Sequence, residues 1–133
     1  MVKQLLSFMC LFAALFFCPI NSVNAADPLE GTYSVRGWNP GINTTTESYI
    51  GTLTIQKSGQ VYRLNWTIAN QRHAGVGFYD VDSEKLAVAW ANLDTGDFGE
   101  VVYALDGKTL NGIWAMYGDE TASVGREILA KQE

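Results

Sequence analysis

Apolar and polar residues alternate along most of the chain after residue 26, in short segments that polar turns separate. Examples are YRLNWTI at 62–68, LAVAWAN at 86–92 and LNGIWAM at 110–116. An alternation with a period of two places successive side chains on opposite faces of a β-strand. Between the segments, KSGQ, DTGD, DGKT and YGDE supply the Gly, Asp and Ser that turns favour. The pattern predicts an all-β chain and has no helical periodicity.

The alternating segments recur with a period of 24 residues. Three consecutive units begin with such a segment, at residues 62–85, 86–109 and 110–133. Each carries a tryptophan at its fifth position, namely Trp66, Trp90 and Trp114. A unit of this length holds two short strands and two turns, which is a β-hairpin. A looser copy runs from GTYSVRGW to SYIGTLTIQ, with extra residues in NPGINTTTE, so four hairpin units predict eight strands.

Short turns between consecutive strands make chain neighbours antiparallel. Eight such strands can close into a barrel, which removes exposed sheet edges, whereas an open sheet needs something to cover its second face. We therefore predict an eight-stranded antiparallel up-and-down β-barrel. A two-sheet β-sandwich is the alternative.

Strand alternation places Trp66, Trp90 and Trp114 on the inward face of the predicted barrel. The interior of an eight-stranded barrel is either just filled by side chains or holds one small ligand. The tryptophans therefore indicate either a packed aromatic core or a cavity with aromatic walls. Glycines such as Gly75 and Gly112 either leave room for a ligand or help the sheet to bend.

The opposite face of segment 86–92 carries Ala87, Ala89 and Ala91. A small apolar surface of this kind is either a tolerant barrel exterior or a seat for another subunit. An oligomer is therefore one outcome that the sequence allows.

The N-terminus has the features of a secretory signal peptide. Lys3 precedes a 16-residue apolar stretch, and Val23 and Ala25 occupy the small-residue positions before a cleavage site. The apolar stretch is short for a membrane span. We predict a signal peptide at residues 1–25, a single exported domain at 26–133, located in the periplasm or secreted, and no membrane insertion after cleavage.

Composition excludes several kinds of function. Both cysteines lie within residues 1–25, so the mature chain has no thiol for a disulfide, a nucleophile or a zinc site. The formal net charge of the whole chain is −5, and removal of Lys3 makes it −6. A dispersed acidic surface argues against nucleic acid and against anionic membranes as partners.

The remaining chemistry points away from catalysis. His73 is the only histidine, so the sequence has no histidine cluster for a metal or a catalytic triad, and a solitary histidine near a turn is typical of the surface. Asp94-Thr95-Gly96 matches the aspartic-protease signature, but it lies where the other units have their turn. We predict no catalytic residue, no metal, no cofactor and no enzymatic activity.

Several ordered motifs resemble a known group of proteins. GTYSVRGWNPG, YIGTLTI, YRLNWTI, LAVAW and LNGIW are similar to segments of small exported bacterial proteins that are often labelled fibronectin-binding. The similarity covers residues 30–128 and implies attachment to a host matrix protein such as fibronectin, without assigning a role to any residue. The layout is also similar to calycin-type barrels of the avidin and lipocalin kind.

The longest connection, NPGINTTTE, is the candidate binding region at the barrel mouth. Arg36 and Asn39 could fix a polar ligand group while Trp38 stacks on the ligand; alternatively, Asn39-Pro40-Gly41 only shapes a turn. The candidate ligand-binding residues are Arg36, Trp38, Asn39, Trp66, Trp90 and Trp114.

The sequence thus predicts an exported, non-enzymatic binding protein whose partner is a protein or a small molecule. The alternative is an inhibitor that inserts the same long connection into the active site of a secreted or periplasmic hydrolase.

Overall fold

The computed structural model describes residues 26–133, and the predicted signal peptide at residues 1–25 lies outside the described residues. Its strands are β1 (Gly31–Trp38), β2 (Tyr49–Ser58), β3 (Val61–Ile68), β4 (Gln71–Asp80), β5 (Lys85–Asn92), β6 (Phe98–Asp106), β7 (Thr109–Met116) and β8 (Gly125–Lys131). Each strand pairs antiparallel with its chain neighbours, and β8 pairs with β1 to close the barrel. This closure confirms the predicted up-and-down barrel and not the alternative, a two-sheet β-sandwich.

No helix occurs within residues 26–133, and hence none that is long and apolar enough to cross a bilayer. The 24-residue period appears directly in the strands, because β3, β5 and β7 begin at Val61, Lys85 and Thr109. The Asp94-Thr95-Gly96 segment is a turn, as predicted. The Asn92 Oδ1 atom accepts hydrogen bonds from the backbone N–H groups of Asp94 and Thr95 at 2.9 and 3.1 Å.

The two ends of the barrel differ in their connections. One end, which we call the open end, carries the longer loops 39–48, 93–97 and 117–124 together with the tight turn 69–70. The other, which we call the closed end, carries the turns 59–60, 81–84 and 107–108 and the N-terminal segment 26–30.

Inward-facing side chains fill the half of the barrel next to the closed end. Leu29 from the N-terminal segment is 1% exposed, and its carbonyl oxygen accepts a hydrogen bond of 2.8 Å from the Tyr33 hydroxyl. The fully buried side chains of this core are Leu29, Tyr33, Val35, Leu53, Ile55, Leu64, Leu86, Leu110 and Leu129. Tyr103 is also fully buried and lies on the side of this core that faces the open end. Close packing of this kind is normal for protein interiors.

Alternation decides which residues enter the barrel. In β3, Tyr62, Leu64 and Trp66 are buried while Arg63 and Asn65 are exposed. The predicted inward face of this strand is therefore confirmed, and the same alternation continues toward the open end, where the interior is no longer filled.

Candidate functional site

The half of the barrel next to the open end encloses a cavity of about 280 Å³. We call this cavity the cup. Its aromatic lining comprises Tyr49, Trp66, Trp90, Tyr103 and Trp114. The other lining residues are Asn39, Ser48, Ile68, Gln71, His73, Asn92, Asp97, Val101, Met116 and Glu127. The cup is thus an aromatic chamber with a single buried carboxyl group in its wall.

That carboxyl group belongs to Glu127, which is 5% exposed. Glu127 lies in the middle of a row of cross-strand neighbours that spans five strands from β2 through β1, β8 and β7 to β6. The row reads Tyr49, Gly37, Glu127, Gly112, Tyr103. Each tyrosine is therefore separated from the glutamate by one glycine, and the arrangement is the same on both sides.

The two glycines allow the tyrosines to reach the glutamate. A Cβ atom at Gly112 would lie 2.6 Å from Cε1 of Tyr103, and a Cβ atom at Gly37 would collide with the ring of Tyr49. Real Cβ atoms do not approach other atoms so closely, so only glycine lets each ring lie across the neighbouring strand. This close approach explains why glycine occupies positions 37 and 112, and no unusual backbone torsion is needed to explain it.

Three side chains donate hydrogen bonds to the Glu127 carboxyl group. The hydroxyls of Tyr49 and Tyr103 donate to Oε2 and Oε1 at 2.8 and 2.6 Å. Trp66 Nε1, on β3, donates to Oε1 at 3.1 Å. Buried polar groups are normally hydrogen-bonded, and these three bonds hold the carboxyl group in one orientation.

Burial controls the ionisation of this cluster. Removal from water raises the pKa of Glu127 above its ordinary value, although the bonds from Tyr103, Tyr49 and Trp66 oppose the rise. Burial, and then the nearby Glu127 charge, raise the pKa values of Tyr49 and Tyr103, so both hydroxyls keep their protons and act as donors. The cluster is therefore a protonated pair of phenols around one titratable carboxyl.

Trp90 and Trp114 form an aromatic wall on the side of this cluster that faces the open end. Their ring centroids lie 5.9 Å apart at an interplanar angle of 84°, which is an edge-to-face contact. Trp90 has glycine as its cross-strand neighbour on both sides, Gly75 in β4 and Gly99 in β6. Trp114 lies directly over its own neighbour Gly125. The glycine-aromatic pairing therefore extends beyond the glutamate row.

Two polar atoms in the cup wall are buried without a hydrogen-bond partner among the described residues. They are Trp114 Nε1 and His73 Nδ1. The His73 ring packs beside Trp90 at 5.9 Å, and burial lowers its pKa against the opposing charges of Asp94 and Asp97. The expectation that His73 is a surface residue was therefore wrong, because alternation in β4 turns its side chain into the cup.

Four of the six residues predicted to bind a ligand lie at the cup: Asn39, Trp66, Trp90 and Trp114. Arg36 and Trp38 do not line it. Trp38 is 4% exposed, and the guanidinium groups of Arg36 and Arg126 lie 5.4 and 4.8 Å from its ring centroid. The two arginines and Trp38 thus form a separate stack at the open end.

The sequence interpretation missed Glu127, Tyr49 and Tyr103. A local signal for Glu127 was present, because alternation in GREILAK puts it on the same inward face as Leu129. A charged residue at an inward position of a small barrel indicates either a paired charge or a functional group. The tyrosines carried no local signal, since their role depends on partners in strands distant along the chain.

Comparisons with solved structures find the same architecture. Caenorhabditis elegans lipid binding protein 8 is 8% identical and superposes with a TM-score of 0.50, covering 84% of this chain and 100% of that chain. Echinococcus granulosus fatty-acid-binding protein 1 is 9% identical, with a TM-score of 0.49 and coverage of 80% and 98%. No protein-family model and no curated protein matches the sequence. The likeness to the Caenorhabditis elegans protein shows a shared fold and nothing finer.

Proposed function

We propose that the protein is an exported, non-enzymatic binding protein that takes a small ligand into the cup. The observation that carries this proposal is a cavity of about 280 Å³ with five aromatic side chains in its lining. Small-molecule sites are concave, mostly apolar and fitted with few polar groups. The cup, at about 280 Å³, lies just below their usual volumes of about 300–1,000 Å³, which favours a compact ligand.

The polar atoms of the cup also support a ligand. A buried donor or acceptor that stays unpaired costs about 1–3 kcal/mol. Trp114 Nε1 can only donate a hydrogen bond, and His73 Nδ1 can donate or accept according to its tautomer. A ligand that supplies an acceptor for Trp114 Nε1, or a donor or an acceptor for His73 Nδ1, would remove part of this cost.

Proteins of similar fold provide further support for a small ligand. The names of the worm and tapeworm proteins state that they bind lipid and fatty acid. Because these proteins are only 8% and 9% identical to this chain, we infer from them only the general class of function, which is small-molecule binding. Export rests on the signal peptide that the sequence predicts at residues 1–25.

Binding to a protein partner is the second candidate, with the exposed loop 39–48 as its contact. This loop presents Ile42, whose side chain is 43% exposed, among polar residues. Fibronectin, from the family resemblance, and a secreted or periplasmic hydrolase are the two proposed partners. Retention of the protein on immobilised fibronectin would support the first partner. Loss of hydrolase activity when the protein is added to a panel of such enzymes would support the second. Replacement of loop 39–48 by a short Gly-Ser turn should abolish either effect.

The small-ligand proposal is tested by thermal denaturation and tryptophan fluorescence in the presence of a broad panel of small metabolites. We expect at least one compound to raise the melting temperature and change the fluorescence. In Trp90→Phe, which alters the cup, the fluorescence change should shrink. In the control Trp38→Phe, outside the cup, it should persist. A panel that produces no shift would overturn the proposal.

A further inference from the structure

We propose that the cup selects small organic cations, in the form of a protonated amine on an apolar body. This inference rests on the proposed function, because it names the ligand class of the same cup. Three observations carry it: the buried carboxyl group, the absence of a basic partner for that group among the described residues, and the ring of aromatic side chains.

The carboxyl group has hydrogen-bond donors but no counter-charge. No lysine or arginine lines the cup, and none of the ion pairs within residues 26–133 includes Glu127. Buried charges in proteins are normally paired, because an isolated charge is costly to remove from water. A cationic ligand would supply the missing charge.

Glu127 also retains capacity to accept a bond from such a ligand. A carboxylate has about four acceptor sites, two on each oxygen. Oε1 already accepts from Trp66 and Tyr103, whereas Oε2 accepts only from Tyr49. The second site on Oε2 is therefore free for an ammonium N–H group, in a hydrogen bond between two charged groups.

The aromatic walls suit the same ligand. The faces of tryptophan and tyrosine rings are electronegative and attract cations, and rings that surround one cavity form the aromatic cages that recognise ammonium groups. Trp66, Trp90 and Trp114 and the two tyrosines all line this one cavity. Asp97, also in the lining, adds negative potential. His73 has a pKa lowered by burial and adds no competing positive charge at neutral pH.

The same features disfavour anionic ligands. A carboxylate that entered the cup would approach Glu127 and Asp97 without any lysine or arginine in the described lining to pair with it. Like charges in a desolvated site repel strongly. The cup is therefore expected to reject fatty acids, whatever the similarity of fold.

Two matched sets of probes test the inference in the unmodified protein at pH 8. The first is 2-phenylethylamine, 2-phenylethanol and phenylacetate, and the second is hexylamine, hexanol and hexanoate. Within a set the apolar body is nearly constant and the head group changes from cation to neutral to anion. By isothermal titration we expect the amine to bind at least about tenfold more tightly than the alcohol, and the acid not to bind.

The variant Glu127→Gln keeps the shape of the side chain and removes its charge. We expect it to lose the tenfold preference for amines, whereas the control Asp82→Asn, in an exposed turn at the closed end, keeps it. Equal affinity for amine and alcohol in both sets, or preferred binding of an acid, would overturn the inference even if Glu127→Gln fails to fold. If neutral or anionic compounds bind and amines do not, the small-ligand proposal stands and the cation inference fails. If none of the six compounds binds, the cation inference fails, and the small-ligand proposal fails with it only if the broad metabolite panel also produces no shift.

An independent observation concerns the outer face of the barrel. Apolar side chains on β4, β6 and β7 are exposed there: Val76 at 47%, Phe78 at 61%, Val102 at 41% and Ile113 at 59%. The alanines of β5 lie between them. A contiguous exposed apolar face of this kind commonly marks an interface. We infer that this face pairs with the same face of a second copy of the chain.

Charge and size complementarity identify the occupant as a second copy. One cross-strand row reads Arg63, Val76, Ala89, Glu100, and a second begins Phe78, Ala87. Consider a two-fold axis that lies outside the barrel, over the line midway between β4 and β5 and parallel to both strands. Rotation about this axis places β4 of one copy against β5 of the other, so that opposite charges meet and large side chains meet small ones. The facing pairs are Arg63 with Glu100, Asp80 with Lys85, Val76 with Ala89 and Phe78 with Ala87. Such self-complementarity is what a two-fold dimer requires.

Sedimentation equilibrium over a range of concentrations tests this second inference. We expect a monomer–dimer equilibrium that weakens by about tenfold in Arg63→Glu and in Glu100→Arg, since each single change places like charges in contact. The double variant should recover the association. A protein that stays monomeric at every concentration, or a dimer that neither single variant weakens, would overturn the inference.

Discussion

The two halves of the barrel are built by the same strand alternation but have different interiors. Near the closed end, inward positions of adjacent strands hold Leu, Ile, Val and Tyr side chains that meet in the middle. Near the open end, large aromatic residues alternate with glycine from one strand to the next, as in Tyr49, Gly37, Glu127, Gly112, Tyr103. The rings of Tyr49, Tyr103 and Trp114 lie against the neighbouring glycines Gly37, Gly112 and Gly125. Aromatic rings held against the wall in this way leave the axis of the barrel open.

This comparison implies that the two halves contribute differently to stability. The packed half stabilises the fold through close contacts, so a change in side-chain volume there disrupts the packing. The cup contributes less packing and instead holds one carboxyl group with three donors. Under the proposed function, ligand binding and stability are separated along the barrel axis, and substitutions at the two ends should have different effects.

The largest difference is expected for truncated apolar side chains. Leu110→Ala, in the packed half, removes a fully buried side chain and should lower the free energy of unfolding by about 2–5 kcal/mol. Met116→Ala, in the lining of the cup, enlarges an existing cavity and should cost less than half as much. Urea unfolding of both variants measures this. Equal losses would contradict the division into a packed and an open half.

The next difference concerns hydroxyl groups. Tyr103→Phe removes a donor to Glu127, a bond to a group that can be charged, and should cost about 1.5–3 kcal/mol at pH 8. Tyr33→Phe, in the packed half, removes a bond to the neutral Leu29 carbonyl and should cost about 0.5–1.5 kcal/mol. A larger loss for Tyr33→Phe in the same urea unfolding experiment would argue against a special role for the Glu127 cluster.

A third test uses pH. Burial raises the pKa of Glu127 above its ordinary value of 4.5, so the folded protein holds this proton more tightly than the unfolded chain does. The resulting stabilisation is complete below pH 4.5 and is lost as pH rises through the raised pKa, with a slope of at most about 1.4 kcal/mol per pH unit. Relative to Glu127→Gln, the wild-type protein should therefore lose stability with rising pH. A relative gain would mean that the three donors lower the pKa instead.

The smallest effect is expected outside both halves. Arg36 and Glu47 form an ion pair of 3.2 Å, with side chains that are 53% and 30% exposed. Exposed ion pairs contribute about 0–1 kcal/mol, so Arg36→Gln should change stability by less than about 1 kcal/mol. Ligand affinity should not change, because Arg36 does not line the cup. A loss of affinity in this variant would move the binding region toward Trp38, where the sequence had suggested it.

Much of the fold was predictable because its signals are local. The period of 24 residues and the alternation in segments such as YRLNWTI determine the number of strands and the inward direction of Trp66. The two candidate interpretations of the interior, a packed core and an aromatic cavity, each describe one half of the barrel. Alternation also puts Trp38 on the same outward face as Arg36, so its exclusion from the cup follows from the pattern once the barrel is accepted.

The carboxyl cluster was less accessible from the sequence. Glu127 and Tyr49 are 78 residues apart, and they meet only because β8 pairs with β1 to close the barrel. Which residues become neighbours across that closure depends on the register between the first and last strands. No local pattern specifies that register, so the sequence did not show that Gly37 and Gly112 make room for the rings of Tyr49 and Tyr103.

A crystal structure of the complex with 2-phenylethylamine tests the central claim most directly. We predict that the phenyl ring packs against Trp90 and Trp114 inside the cup, with the amine nitrogen within hydrogen-bond distance of Glu127 Oε2. A ligand bound outside the barrel, or a cup filled by the tryptophan side chains so that nothing can enter, would contradict it.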